Sequence, residues 1–105
     1  KKRINVDFIK CDIEGAELFF FQGAINTIKK NKPIIFSEML RKWTKKFNYH
    51  PNDIIYLLSN LGYESFISSN NKLKQISLVD ENTLETNFFF LHGKKHKNLI
   101  NKLKI

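Results

Sequence analysis

Val6-Asp7-Phe8-Ile9-Lys10-Cys11-Asp12-Ile13-Glu14-Gly15-Ala16-Glu17 is the stretch whose reading decides the fold. Val6, Phe8, Ile9 and Cys11 make a nearly continuous apolar run, the pattern of a strand covered on both faces. Acidic residues follow at Asp12, Glu14 and Glu17, split by Gly15, and then apolar spacing turns helical. A strand that ends in a carboxylate, then a glycine-bearing turn and a helix, belongs at the ligand-facing rim of an α/β sheet.

Working outward, Leu18, Phe21, Ile25 and Ile28 recur at helical spacing with Ala24 on the same side, so residues 17–30 are expected to form one helix. Acidic residues in its first turn and Lys29-Lys30 in its last suit the macrodipole. Gly23 costs about 1 kcal/mol inside a helix, which predicts a kink or a close helix–sheet contact there. Asn31 is expected to take the left-handed terminal position, and Pro33 to hold Lys32 extended. Residues 34–37 then form a second strand. Strand, helix, strand in this length is a βαβ unit with parallel strands and a right-handed crossover. Asp12 and Glu38 therefore end neighbouring strands at the same rim, about 4.8 Å apart, and can converge on one ligand.

Two runs taken together, 8–17 with Gly23-Ala24 after them and Lys32-Pro33-Ile34-Ile35-Phe36-Ser37-Glu38, resemble the signature of FkbM-type S-adenosylmethionine-dependent methyltransferases. The resemblance implies an α/β fold: the C-terminal half of a Rossmann-like class I methyltransferase, with a parallel βαβ unit followed by a helix and an antiparallel pair. It implies methyl transfer from S-adenosylmethionine to a hydroxyl of a sugar or other small metabolite. Asp12, Glu38 and Lys10 become the candidate catalytic residues, with Asp12 and Glu14 facing the cofactor. Asp12 would accept or orient the substrate hydroxyl proton, since O-methylation needs a base near the attacking oxygen. With Glu38 it could instead hold a divalent cation, a hard ion that prefers oxygen ligands. The structural alternative is that Asp12 and Glu14 cap the next helix. Lys10 either pairs with an acidic neighbour or sends its ammonium to water from near the strand end.

Downstream, residues 39–49 form a basic, aromatic connection containing Arg41, Trp43, Lys45, Lys46, Phe47 and Tyr49. It reads either as a substrate-facing segment or as a short helix packing Leu40, Trp43 and Phe47. His50-Pro51-Asn52-Asp53 starts a helix that Gly62 closes. A strand at 63–67, a turn at 68–71, a weak strand at 73–79 and a polar loop at 80–86 lead to Asn87-Phe88-Phe89-Phe90-Leu91-His92. That last strand is apolar enough to be internal, inserted between 34–37 and 63–67. Residues 1–93 are read as the half-domain and 94–105 as a basic tail able to form one short helix through Leu99, Ile100 and Leu103.

The chain has 105 residues, with 18 basic against 10 acidic side chains and a net charge of +8. Positive charge can mean nucleic acid, anionic lipid or an acidic substrate. Only Arg3 and Arg41 are arginines, however, and sequence-specific readers of DNA lean on Arg. The lone Cys11 and the lack of zinc-like Cys/His spacing suit a reducing compartment, so the cytoplasm is the expected location, with no membrane span. Cys11 reads as core rather than nucleophile, and the histidines carry no argued chemistry. No Gly-x-Gly occurs. The chain opens on Lys1-Lys2-Arg3 and enters a strand at once, so the cofactor's glycine-rich turn is expected upstream and this stretch alone is expected to be inactive. The competing reading is a non-catalytic binding module, self-associating through an exposed sheet edge.

Overall fold

The computed structural model describes residues 5–105, so most of the polar lead-in at 1–5 lies outside the described residues. Ten elements follow in chain order: β1 (Phe8–Cys11), α1 (Glu17–Gly23), α2 (Ile25–Asn31), β2 (Ile34–Glu38), α3 (Arg41–Lys46), α4 (Pro51–Asn60), β3 (Tyr63–Ser69), β4 (Lys72–Ile76), β5 (Asn87–His92) and α5 (Lys97–Leu103). They make a mixed α/β fold around a five-stranded sheet ordered β1-β2-β5-β3-β4.

β1 and β2 are parallel, with Cys11 opposite Ser37, as a βαβ unit requires. β5 enters between β2 and β3 and runs antiparallel to both. The expected insertion of the NFFFLH strand is thus observed. Its apolar residues serve two cores. Phe88 and Phe90 join Ile35, Tyr63 and Ile67 on the face covered by Phe21, Ile28, Ile54 and Leu58 of the helices. Leu91 and Phe89 face the other way, with Phe66, Leu73 and Ile100. The basic tail becomes α5 on that second face, and Ile105 N–H donates to the Leu73 carbonyl at 2.9 Å. Two asparagines with positive φ, Asn70 (51°) and Asn71 (63°), close the β3–β4 hairpin, a pairing that suits its tight turn. β4 is shorter than the 73–79 expected, although Val79 is still buried. Asn52 explains this: its side-chain oxygen accepts from Val79 N–H (2.6 Å) and its amide donates to Val79 carbonyl (3.0 Å), pulling the chain out of the sheet.

Two local expectations fail and a third is met. Residues 17–30 form two helices rather than one, because the chain breaks at Ala24, whose φ of −101° and ψ of 8° end α1 and begin α2. This break, directly after Gly23, is the kink expected there, and it comes without a close helix–sheet contact: a Cβ on Gly23 would meet nothing within 4 Å. The left-handed position falls on Lys32 (φ 47°) and not Asn31, so Lys32 is not extended despite Pro33. Asn31 is engaged instead as a bridge, accepting from Val6 N–H (3.2 Å) and donating to the Thr27 carbonyl (3.0 Å). That bond ties the chain just before β1 to the end of α2, next to the left-handed Lys32.

β1 also differs from a strand buried on both faces. Phe8 keeps 55% of its surface exposed and Lys10 is exposed, while Cys11 is buried. Lys10 therefore needs no buried partner, and the solvated reading of its ammonium holds. Among the described residues no helix is long and apolar enough to cross a membrane.

Candidate functional site

The turn after β1 shapes the site. Glu14 (φ 51°) and Gly15 (φ 101°) are successive left-handed residues, which turn the chain sharply before α1. Gly15 is required twice over. A Cβ there would sit 2.8 Å from Trp43 Cβ and 2.8 Å from Phe47 Cδ2, so α3 presses directly on the turn backbone.

Glu17, at the start of α1, folds back and is 1% exposed. Its carboxylate accepts from Ile13 N–H (2.9 Å) and Gly15 N–H (3.1 Å). Tyr49 locks the arrangement from the far side, its hydroxyl donating to the Gly15 carbonyl at 2.7 Å and lying 3.4 Å from Glu17 Oε1. Burial pushes the Tyr49 hydroxyl up to about 12, so it remains a donor at neutral pH. Asp12 and Glu14 do not cap α1; its N-cap is Ala16 and carries no side-chain bond. Glu17 was the residue that sequence reasoning missed. Its signal was there: an acid two to four residues after the turn amides it satisfies, close to the spacing of a capping box.

Asp12 stands exposed just past β1, and Glu38 ends β2 partly exposed. Since Cys11 pairs with Ser37, the next residue on each strand lies side by side. The Asp12 charge raises the Glu38 carboxyl above its ordinary range, with burial second and smaller contributions from Glu17 and Glu14. A negative charge beside a carboxyl disfavours its ionised form, so Glu38 holds its proton more readily than an isolated acid. Lys10 pairs across the strands with Phe36, two residues short of the carboxylates. Glu14 is exposed on the turn. The structure thus joins Asp12 and Glu38 at one rim, with Lys10 behind them and Glu14 at the outer lip.

Beneath the rim, Cys11 is inert. Burial first, then the charges of Glu17 and Asp12, push its thiol up to about 12, leaving almost no thiolate at neutral pH. The neighbouring Ser37 hydroxyl is buried without a hydrogen-bond partner. Among the described residues no group of three or more His, Cys, Asp or Glu side chains is placed to hold a metal ion. The histidines are structural. His50 Nδ1 accepts from Asn52 N–H (3.1 Å) and Asp53 from His50 N–H (3.0 Å), a reciprocal cap on α4. His92 Nδ1 accepts from Lys94 and Lys95 N–H, both at 3.2 Å.

The geometry fits the family comparison. The sequence model of the methyltransferase FkbM domain matches residues 2–65, which hold both strands of the βαβ unit and both rim carboxylates. The chain belongs to the FkbM methyltransferase family. The FkbM match ends at the start of β3, so β4, β5 and α5 lie outside it. No curated protein and no solved structure matches the chain. FkbM membership makes methyl transfer the general activity of the family and S-adenosylmethionine its general donor.

Proposed function

We propose that this chain contributes the acceptor-side half of a Rossmann-like, class I methyltransferase site that O-methylates a saccharide or other small hydroxyl compound. The supporting observation is the Asp12–Glu38 pair, set at the carboxyl ends of adjacent parallel strands where α/β proteins bind ligands. S-adenosylmethionine would supply an electrophilic methyl group on a positively charged sulfur. The donor set suits such a group in sign, because an acidic rim of Asp12, Glu14 and Glu38 favours a cation. Asp12 orients the acceptor hydroxyl and takes its proton. Glu38, already inclined to hold a proton, shares it. Glu14, at the lip, faces the donor.

In the full-length protein, Asp12→Asn lowers methyl transfer from S-adenosylmethionine about 10²–10⁴-fold with an unchanged melting curve. Full turnover in that variant removes Asp12 from the chemistry. A second reading has one observation in its favour. β1 is the edge strand of the described sheet, and Phe8 beside that edge is 55% exposed, so two copies could pair there. Sedimentation that stays monomeric at high concentration eliminates it.

A further inference from the structure

The basic, aromatic connection after β2 has a shape that the methyl-transfer chemistry does not use. An open groove of about 740 Å³ lies along α3 and the turn that follows it, within the size range of small-molecule sites. Its walls are Arg41, Lys42, Lys45, Asn48, Tyr49 and His50, with the Thr44 backbone turn at its base. Among the described residues none of these walls is a carboxylate. Glu38 and Asp53, the acids that flank this stretch in sequence, are not among its walls; Asp53 is occupied by His50 N–H (3.0 Å) and lines a different groove.

The groups are complementary to an anion in kind as well as sign. Arg41 and Lys45 stand four residues apart on one side of α3, so their cationic heads share a face. Lys42 is held over the Trp43 ring at 5.5 Å from its centroid, which limits its freedom and leaves its charge beside the groove. Asn48 and His50 add hydrogen-bonding groups. His50 Nδ1 is committed to Asn52 N–H, which leaves only its other ring nitrogen uncommitted by that bond. Phe19, 52% exposed, packs edge-on to Tyr49 (6.2 Å) and helps hold that groove wall in place.

Groove and rim are also mechanically joined. Tyr49 forms one groove wall and donates to the Gly15 carbonyl in the turn after Asp12. Arg41 follows Glu38 by three residues. We infer that this groove binds an anionic group, a phosphate or sulfate ester or a carboxylate, carried by the molecule that is methylated. The link to methylation rests on the reading above, whereas the anion site stands on the groove alone. The positive charge along 41–46 then has a specific task, and the acidic rim and basic groove divide the two ligands by sign: the cationic donor at one, the anionic acceptor at the other.

The test is an amide-resolved NMR titration of the 105-residue chain, with no methyl donor present, at fixed ionic strength. Sodium phosphate and glucose 6-phosphate are the probes, with glucose and sodium chloride as comparisons. Saturable shifts confined to residues 41–50, seen with both phosphates and with neither comparison, support the site. Arg41→Gln with Lys45→Gln weakens that binding about tenfold or more. Lys72→Gln with Lys74→Gln, exposed on β4 at the far edge of the sheet, leaves it unchanged. Shifts scattered over all surface lysines, or equal in the two double variants, overturn the proposal. So does binding to vesicles containing phosphatidylglycerol without any saturable response to soluble phosphate, which would identify a membrane surface instead. Because no methyl group moves in this titration, loss of the Asp12 assignment leaves its result standing, and the reverse is equally true.

Discussion

Phe90 on β5 and Phe8 on β1 are the same side chain two strands apart in one sheet, yet Phe90 is fully buried and Phe8 keeps 55% of its surface exposed. The contrast extends to their neighbours. Around β5 and β3 both faces are filled, by Phe88 and Tyr63 on one side and Phe66 and Leu91 on the other. Around β1 only the Ile9 and Cys11 face is packed, and the other carries Phe8 and Lys10. Packing is dense on both faces at the β3–β5 end of the described sheet, and the exposed residues of the rim lie at the β1–β2 end. The β3–β5 end holds the fold together, while the β1–β2 end spends its exposed positions on charged groups at the rim.

The largest effect that could break this comparison is in the core. Phe90→Ala should destabilise by about 3–5 kcal/mol, and Phe8→Ala by about 1 kcal/mol or less. Denaturant melts of the two variants decide it; equal losses would mean that β1 is as much a part of the cooperative core as β5. Next in size is the turn itself. Glu17→Ala strands the Gly15 and Ile13 amides and should cost about 1–3 kcal/mol. Amide exchange at 12–16 should quicken more than at β5, and uniform quickening would show that the rim has no local stability of its own. The smallest effect sharpens the electrostatics of the rim. With its pKa raised chiefly by Asp12, Glu38 keeps its proton to higher pH when folded than when unfolded. Stability contributed by this group is therefore present at low pH and lost as pH rises through its folded pKa. Asp12→Asn removes the main cause, so the Glu38 carboxyl should titrate closer to 4.5. Carbon-detected NMR titration reads the shift, and an unmoved Glu38 would separate the two groups.

Much of this was legible in the chain. The 6–17 and 32–38 runs specify a parallel pair through apolar strands, a helical crossover and Pro33, and their register then brings Asp12 to Glu38. The NFFFLH strand declared itself internal because every second residue could be apolar on both faces. What sequence patterning misses are decisions made by contacts distant in the chain. Asn31 reaches Val6, next to the left-handed Lys32. Asn52 reaches Val79 and shortens β4. Glu17 and Tyr49 meet only because α3 folds over the turn. The break at Ala24 has a different origin: helical periodicity is nearly the same for one bent helix as for two short ones, so hydrophobic spacing does not separate them.

The insertion of β5 also imposes an order of events during synthesis. β2 and β3 have no direct pairing in the sheet; both pair with β5, which emerges last of the five strands. At about 5–20 residues per second a ribosome needs roughly 2–10 s to pass from Glu38 to Asn87. Throughout that interval the hydrogen-bonding edges of β2 and β3 stand open, and the apolar face of the crossover helices has only part of its cover. A nascent chain stalled before Asn87 is therefore the form most exposed to wrong strand pairing.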